Sequence, residues 1–579
     1  MSCCRLKWLL AVIFLAGLPG IAIGQSGLDA GQLPKSTLFY FAWHGAPAGE
    51  ARKANSLLAL WDDPEFAPVR AGIVDAMVND AHGAKKTEKQ VSSDELTDIA
   101  SLLDNEFVVG YLSDPAPAKA ASVSLNGAIH HWQGAFLVYD RTGKEATLAK
   151  LVVRLQSSEK DLPKISTVTL AGLPTMKIER ASGTSYWAED GKYAYSASEP
   201  AVVEQIVNWT KHASPETNWL AKTPAYQEAS ATLHGGIVEF FAHFPSVKDL
   251  PGDASPGGFR LGPLLQNLRI DAIHGVAGRL TLEGARTRMQ GAILGDAKAG
   301  TPFDIWGDAV SEPASLQLVN ETTVSYQSSQ VNLLGIYGLI KRALTPAAGG
   351  KQPGTAGLIE QSVETRLGMS VPDALGAFSG EFASLQSSAA VDPERQVYFV
   401  GIRKKPEALK LLRSGLEERL SGERNEGDIT FFKVSQGGVQ STAGTAAWKY
   451  YHVAVAPDAI LVSKKSDSLR EALAARKNQV VPAARLPQAW QTARSQFPQN
   501  IDGLSFIDFQ KFDWTTIKSR WNAGNSKSAT KTDTKSAAPS ALENAMKNLD
   551  PLVFQRHLHL TANASWKNAQ GLHFDGWIE

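Results

Sequence analysis

Asp98-Ile99-Ala100-Ser101-Leu102-Leu103-Asp104-Asn105-Glu106-Phe107 returns later in the chain as Asp373-Ala374-Leu375-Gly376-Ala377-Phe378-Ser379-Gly380-Glu381-Phe382. Each stretch reads as a short helix, a turn and a strand opening on Glu-Phe. Outward from this pair, the same order of elements runs through residues 34–295 and again through 313–579. Pro34 to Phe41 and Pro313 to Val319 each read as an opening strand. Helical spacing follows at Asn55 to Trp61 and Glu65 to Val78, and at Val331 to Leu344 and Leu358 to Leu367. A strand leading into a leucine-spaced helix occurs at Ala135 to Leu155 and at Val397 to Leu420. Hairpins come next, Tyr186 to Tyr195 and Trp448 to Val462, and each feeds a helix. Leu280-Thr281 with Gln290-Gly291, and Leu560-Thr561 with Gln570-Gly571, read as the closing hairpins.

Matches in one order imply an internal duplication. The pattern predicts an α+β fold of two similar lobes, each an antiparallel or mixed sheet packed with helices. Lobe 1 would occupy 25–295 and lobe 2 313–579, joined by a linker at 296–312, with a flexible insert at 523–540.

The N-terminus has the three zones of a cleavable export signal, residues 1–24: Arg5 and Lys7, an apolar run from Trp8 to Leu18, and Ala22-Ile23-Gly24 before the cut. The apolar run is too short to span a membrane, which takes about 20 residues. An extracytoplasmic product, periplasmic or secreted, is expected. Both cysteines, Cys3 and Cys4, lie inside the signal, so the mature chain holds no disulfide and relies on core burial. Losing Arg5 and Lys7 from 58 basic residues against 58 acidic ones leaves a formal net charge of −2. That balance gives no footprint for nucleic acid, and no later run is long enough for an integral membrane helix.

Catalytic and cofactor spacings are mostly absent. There is no Gly-x-Ser-x-Gly elbow, Walker loop, His-Glu-x-x-His helix or dinucleotide-binding glycine pattern. No cofactor is implied. Ser157 to Lys160 has Ser-x-x-Lys spacing without its partner motifs. His557 and His559, read as alternate residues of one strand, would put two imidazoles on one face, with His573 as the nearest third metal ligand. Glu106 and Glu381, equivalent in the two repeats, would form a carboxylate pair for acid–base work if they met at a pseudo-twofold axis. Each would otherwise accept turn amides or pair with a neighbouring base. Phe39, Tyr40, Phe41 and Trp43, with Trp187 and Trp448, read either as a ligand groove or as core.

The Pro-Lys-Ser-Thr-Leu-Phe-Tyr opening, the paired Asn-Glu-Phe and Gly-Glu-Phe strand openings and Leu-Ser-Phe-Ile-Asp-Phe at Leu504 to Phe509 resemble a family of exported bacterial proteins. That family is common in acidobacteria and catalogued only as a domain of unknown function. The resemblance implies export and supplies no catalytic residues. The expected role is non-enzymatic binding of a ligand or envelope protein, or scaffolding. The alternative is an extracytoplasmic hydrolase using the carboxylates or the His557/His559 face.

Overall fold

The computed structural model describes residues 27–73, 101–113, 134–157, 163–180, 183–233, 235–244, 267–344, 355–387, 394–435, 450–477, 487–519 and 541–579. The signal at 1–24, the insert at 523–540, His130, His131 and Trp448 lie outside them. No helix among the described residues is long and apolar enough to cross a membrane.

Among the described residues twenty strands form the framework. The first ten are β1 Thr37–His44, β2 Glu106–Leu112, β3 Ala135–Asp140, β4 Lys164–Leu170, β5 Leu173–Arg180, β6 Gly183–Glu189, β7 Tyr193–Ala197, β8 Val238–His243, β9 Ile273–Glu283 and β10 Arg286–Gly295. The next ten are β11 Ser325–Gln330, β12 Phe378–Gln386, β13 Val397–Ile402, β14 Leu420–Glu426, β15 Ile429–Ser435, β16 Tyr450–Val455, β17 Ala459–Ser463, β18 Gly503–Asp508, β19 Leu560–Asn568 and β20 Gly571–Ile578. Every pairing is antiparallel. In space the first ten run β4-β5-β6-β7-β3-β2-β1-β8-β9-β10. The others run β20-β19-β18-β11-β12-β13-β17-β16-β15-β14.

β10 pairs directly with β20, from Thr287 opposite Ile578 to Leu294 opposite Gly571. This pairing overturns the expectation of two lobes. The strands merge into one antiparallel sheet, so the fold is α+β without a division between sheets. Within it, strand n of the first half and strand n + 10 of the second hold mirrored places. The register that sets Thr287 against Ile578 also sets Ile293 against Leu572, so moving each residue 285 positions (575 − 290) maps the pairing onto itself about Gln290 and Asp575.

Three sequence expectations are corrected in detail. Pro313 to Val319 is not a strand: Ala314–Leu318 is a 3-10 helix whose first amides are held by a carboxylate, and the strand begins at Ser325. The closing hairpins are equivalent at 285 positions rather than 280, because the turns set the register, joining Glu283 to Arg286 and Asn568 to Gly571. The expected linker is packed: Phe303 is buried, and Trp306 and Val310 bridge to Val331 and Ile501.

Helices cover both faces of each half. In the first, Val202, Val203, Ile206 and Val207 of the helix Pro200–Thr210 share a core with Tyr40, Val108, Val138, Tyr195 and Phe241. On the opposite face Leu148, from the helix Glu145–Ser157, meets Tyr139 and Ala194. In the second half Leu469, Leu473 and Trp490 cover Tyr326, Phe399, Leu461 and Phe506. There the helix Lys405–Leu416 sets Ala408 against Ile402, Phe432 and Val453.

A separate cluster straddles the junction, where Leu60, Trp61, Phe66 and Val69 pack on Leu549, Val553 and Leu558. On the other face the seam is polar. Arg288 Nε and Nη2 donate to the two oxygens of Asp575 at 2.9 and 2.5 Å, and Gln290 donates to the same carboxylate at 3.2 Å. Asp575 is only 5 % exposed, and its carboxylate raises the Arg288 pKa further. Arg286 reaches Glu579 and lies over the Trp577 ring. Removing Arg288 alone strands a buried carboxylate: Arg288→Ala is expected to cost about 3 kcal/mol. The double change Arg288→Met/Asp575→Leu should cost far less, and urea unfolding of the two variants checks the difference.

Candidate ligand pocket

The carboxylates expected to meet do not. β2 and β12 lie nine strands apart, on the order of 40 Å along the sheet at about 4.8 Å per strand, and each glutamate has its own local partner. Glu106, buried at the start of β2, pairs at 2.9 Å with Nδ1 of His44, which stands opposite it in β1. Glu381, buried in β12, accepts the backbone N–H groups of Ala314 and Ser315 at 2.9 and 2.8 Å and so caps the 3-10 helix.

The two histidines are also separated. His557 ends the helix Leu552–His557 rather than lying on a strand, and its Nε2 bonds Asp63 at 2.9 Å, a carboxylate that Arg556 also holds. That imidazole contact is the main cause of the lowered Asp63 pKa. His559 is exposed, and its backbone N–H bonds the Glu579 carbonyl. His573 stacks on Trp566 and bonds Asn568. Among the described residues no three His, Cys, Asp or Glu side chains gather to hold a metal. Ser157 ends its helix, and Lys160 lies outside the described residues. Trp187 of β6 stands opposite Ser196 of β7 and packs beside the Tyr139 cluster.

A concavity forms elsewhere, where β8 and β9 meet the short helix Pro224–Ala229. Thr223 caps that helix and Pro224 opens it, the local chemistry of a helix start. Pro224, Ala225 and Glu228 form one wall, His243 and Phe244 the second, and Asp271, Ile273 and His274 the third, around about 410 Å³. His274 Nδ1 lies 3.4 Å from Glu228 Oε2. Burial first, and the neighbouring His274 second, lower the His243 pKa. Two imidazoles and two carboxylates therefore share the lining with Phe244, Ile273 and Ala225. Such a surface offers donors and acceptors beside apolar side chains, and among the described residues no hydroxyl, thiol or amine nucleophile lines it. A smaller recess of about 300 Å³, on the other side of the same helix, is lined by Asp29, Trp219, Lys222 and Tyr226.

The second half provides an internal comparison. Phe244 N–H donates to the His274 carbonyl at 3.0 Å, and Phe509 N–H to the His559 carbonyl at 2.9 Å, so the two phenylalanines hold equivalent places. Around Phe509 the space is filled: Trp514 stacks on Phe509 and Phe554, and Phe512 packs edge-on. Around Phe244 no described aromatic ring does this, and Phe244 stays 45 % exposed. Sequence reasoning passed over His243, Phe244 and His274. The available signal was the parallel of Ala242-His243-Phe244 with Ile507-Asp508-Phe509, which sets a histidine where the other half has an acid.

No protein-family model, no curated protein and no solved structure matches this chain.

Glu381→Gln keeps one acceptor and turns an N–H₂ toward buried amides, so it is expected to cost about 1–3 kcal/mol, read by thermal and urea unfolding. Stability should also fall on acidification. The folded pKa of His243 lies below its ordinary 6.5, so the unfolded chain takes up the proton first and stability drains away as pH falls through that value. His452 and His573, lowered mainly by burial, act in the same direction. Urea midpoints between about pH 7.5 and pH 5.5 should decline, and His243→Phe should flatten part of the decline.

Proposed function

We propose that the chain is an exported, extracytoplasmic protein of the unassigned bacterial family it resembles, with a non-enzymatic role in binding or scaffolding. Its ligand seat is the pocket at Phe244, His243 and His274. One observation carries this reading: among the described residues no ring takes in the first half the place that Trp514 and Phe512 fill in the second, and imidazoles and carboxylates line it instead. The engagement of Glu381 by two backbone amides supports the non-enzymatic side, because both oxygens of that carboxylate are used in capping a 3-10 helix. The ligand class that suits the pocket is a small amphipathic molecule with an aromatic or aliphatic body and a polar head.

The probe for this is 1-anilinonaphthalene-8-sulfonate, which has both features. Wild type should bind it saturably at one site. Ala225→Trp, which fills the pocket, and Phe244→Ala, which removes its aromatic lining, should each weaken binding about tenfold, a change of about 1.4 kcal/mol, with unfolding temperatures near wild type. Equal binding by wild type and both variants defeats the assignment of the pocket.

A further inference from the structure

The twenty described strands leave two outer edges, and the two differ. β14 and β4 hold mirrored places, each pairing on one side only among the described residues. An edge strand presents a row of main-chain donors and acceptors to any other strand, and proteins blunt it with bulges and charge. β14 carries both devices. Its register with β15 slips between Ser421 and Arg424, Gly422 sits at φ +64°, and Glu423, Arg424 and Glu426 line it, with Glu423 paired to Arg413 at 2.6 Å.

β4 carries neither. Its register with β5 is unbroken from Lys164 opposite Glu179 to Leu170 opposite Leu173. Its one charge is the terminal Lys164, set beside Glu179 at 3.5 Å, and Ile165-Ser166-Thr167-Val168-Thr169-Leu170 has no proline, glycine or charge. Four of its seven residues are β-branched, the composition that favours pairing. The two-residue turn at Ala171 and Gly172, both at positive φ, makes Leu170 and Leu173 a hydrogen-bonded pair. Alternation then points the N–H and C=O groups of Ile165, Thr167 and Thr169 outward.

We propose that β4 is a self-association edge whose occupant is β4 of a second copy, paired antiparallel about a twofold axis at Thr167. The strand is self-complementary in that register. Thr167 faces the partner's Thr167, Ile165 faces the partner's Thr169, and Ser166 faces the partner's Val168. Lys164 meets the partner's Leu170, so no like charges oppose. Three outward residues on each copy make about six main-chain hydrogen bonds. Val168 and Leu170, packed against the first-half core, extend that apolar face into the partner's. The chain already uses this operation at β10–β20, where two equivalent edges join about a twofold.

Sedimentation velocity of the mature chain over a wide concentration range tests the proposal. Wild type should show a reversible monomer–dimer equilibrium. Thr167→Pro removes an outward N–H that β5 does not use, and Thr167→Lys places two like charges on the axis. Each should weaken self-association about tenfold or more, while unfolding temperatures stay near wild type. A wild type that is monomeric throughout, or a dimer that survives both variants, overturns the proposal. So does a monomer that nevertheless captures a strand-forming peptide unrelated to residues 164–170, because the occupant is then a foreign peptide.

Discussion

The antiparallel ladder between β10 and β20 is the constraint on which the rest of the molecule depends. Without it there would be two ten-stranded sheets, each with an open edge in the middle of the protein. With it, those edges satisfy one another and the sheet becomes continuous. The seam is held in two different ways on its two faces. Trp61, Phe66, Val69 and Val553 bury an apolar cluster across it on one side, while Arg288, Gln290 and Asp575 satisfy one another on the other. The apolar contact supplies most of the attraction, and the bidentate ion pair ties the register to one alignment.

The repeated strand order and the divergent side chains tell separate stories. Trp43, Val238 and Leu280 form an apolar cluster on one face of the first half. By the same register, Ser329, Gly503 and Ser565 occupy those places in the second. Ile237, beside Val238, gives way to Asp502, whose carboxylate is 2 % exposed, takes a 2.6 Å hydrogen bond from Ser565 and has its pKa raised chiefly by burial. Backbone hydrogen bonding preserves the strand order at sites where the packing has been rewritten. The pocket at Phe244 belongs to the same class of difference: one backbone place, with aromatic filling in one half and, among the described residues, imidazoles and carboxylates in the other.

Much of this framework was legible before any coordinates. Helix and strand spacing located most elements and their repeating order, because period and turn chemistry are local properties. The joining of halves was not, since Arg288 and Asp575 stand far apart in the chain and nothing local in Gln290-Gly291 or Gln570-Gly571 declares which edge it will meet. Matching Leu-Thr dipeptides also misplaced the closing hairpins by five residues, an odd slip that turns every side chain to the wrong face. At the candidate sites, residue type alone suggested a His557/His559 pair on a strand, but Arg556 and His557 close a helix to reach Asp63. Glu106 and Glu381 were correctly recognised as equivalent, and their distance from the axis followed from strand order, which pairwise matching cannot see.

The seam also imposes a schedule. β10 and the strand that covers it are separated by 285 residues, which at ribosomal speeds of roughly 5–20 residues per second take about 15 to 60 s to make. Throughout that interval a nascent first half would carry an uncapped central edge, and contacts of such long sequence separation form late in folding. A chain built this way gains from being kept unfolded until translation is finished, and in a cell that withholds such escort its characteristic failure would be wrong strands adding to β10.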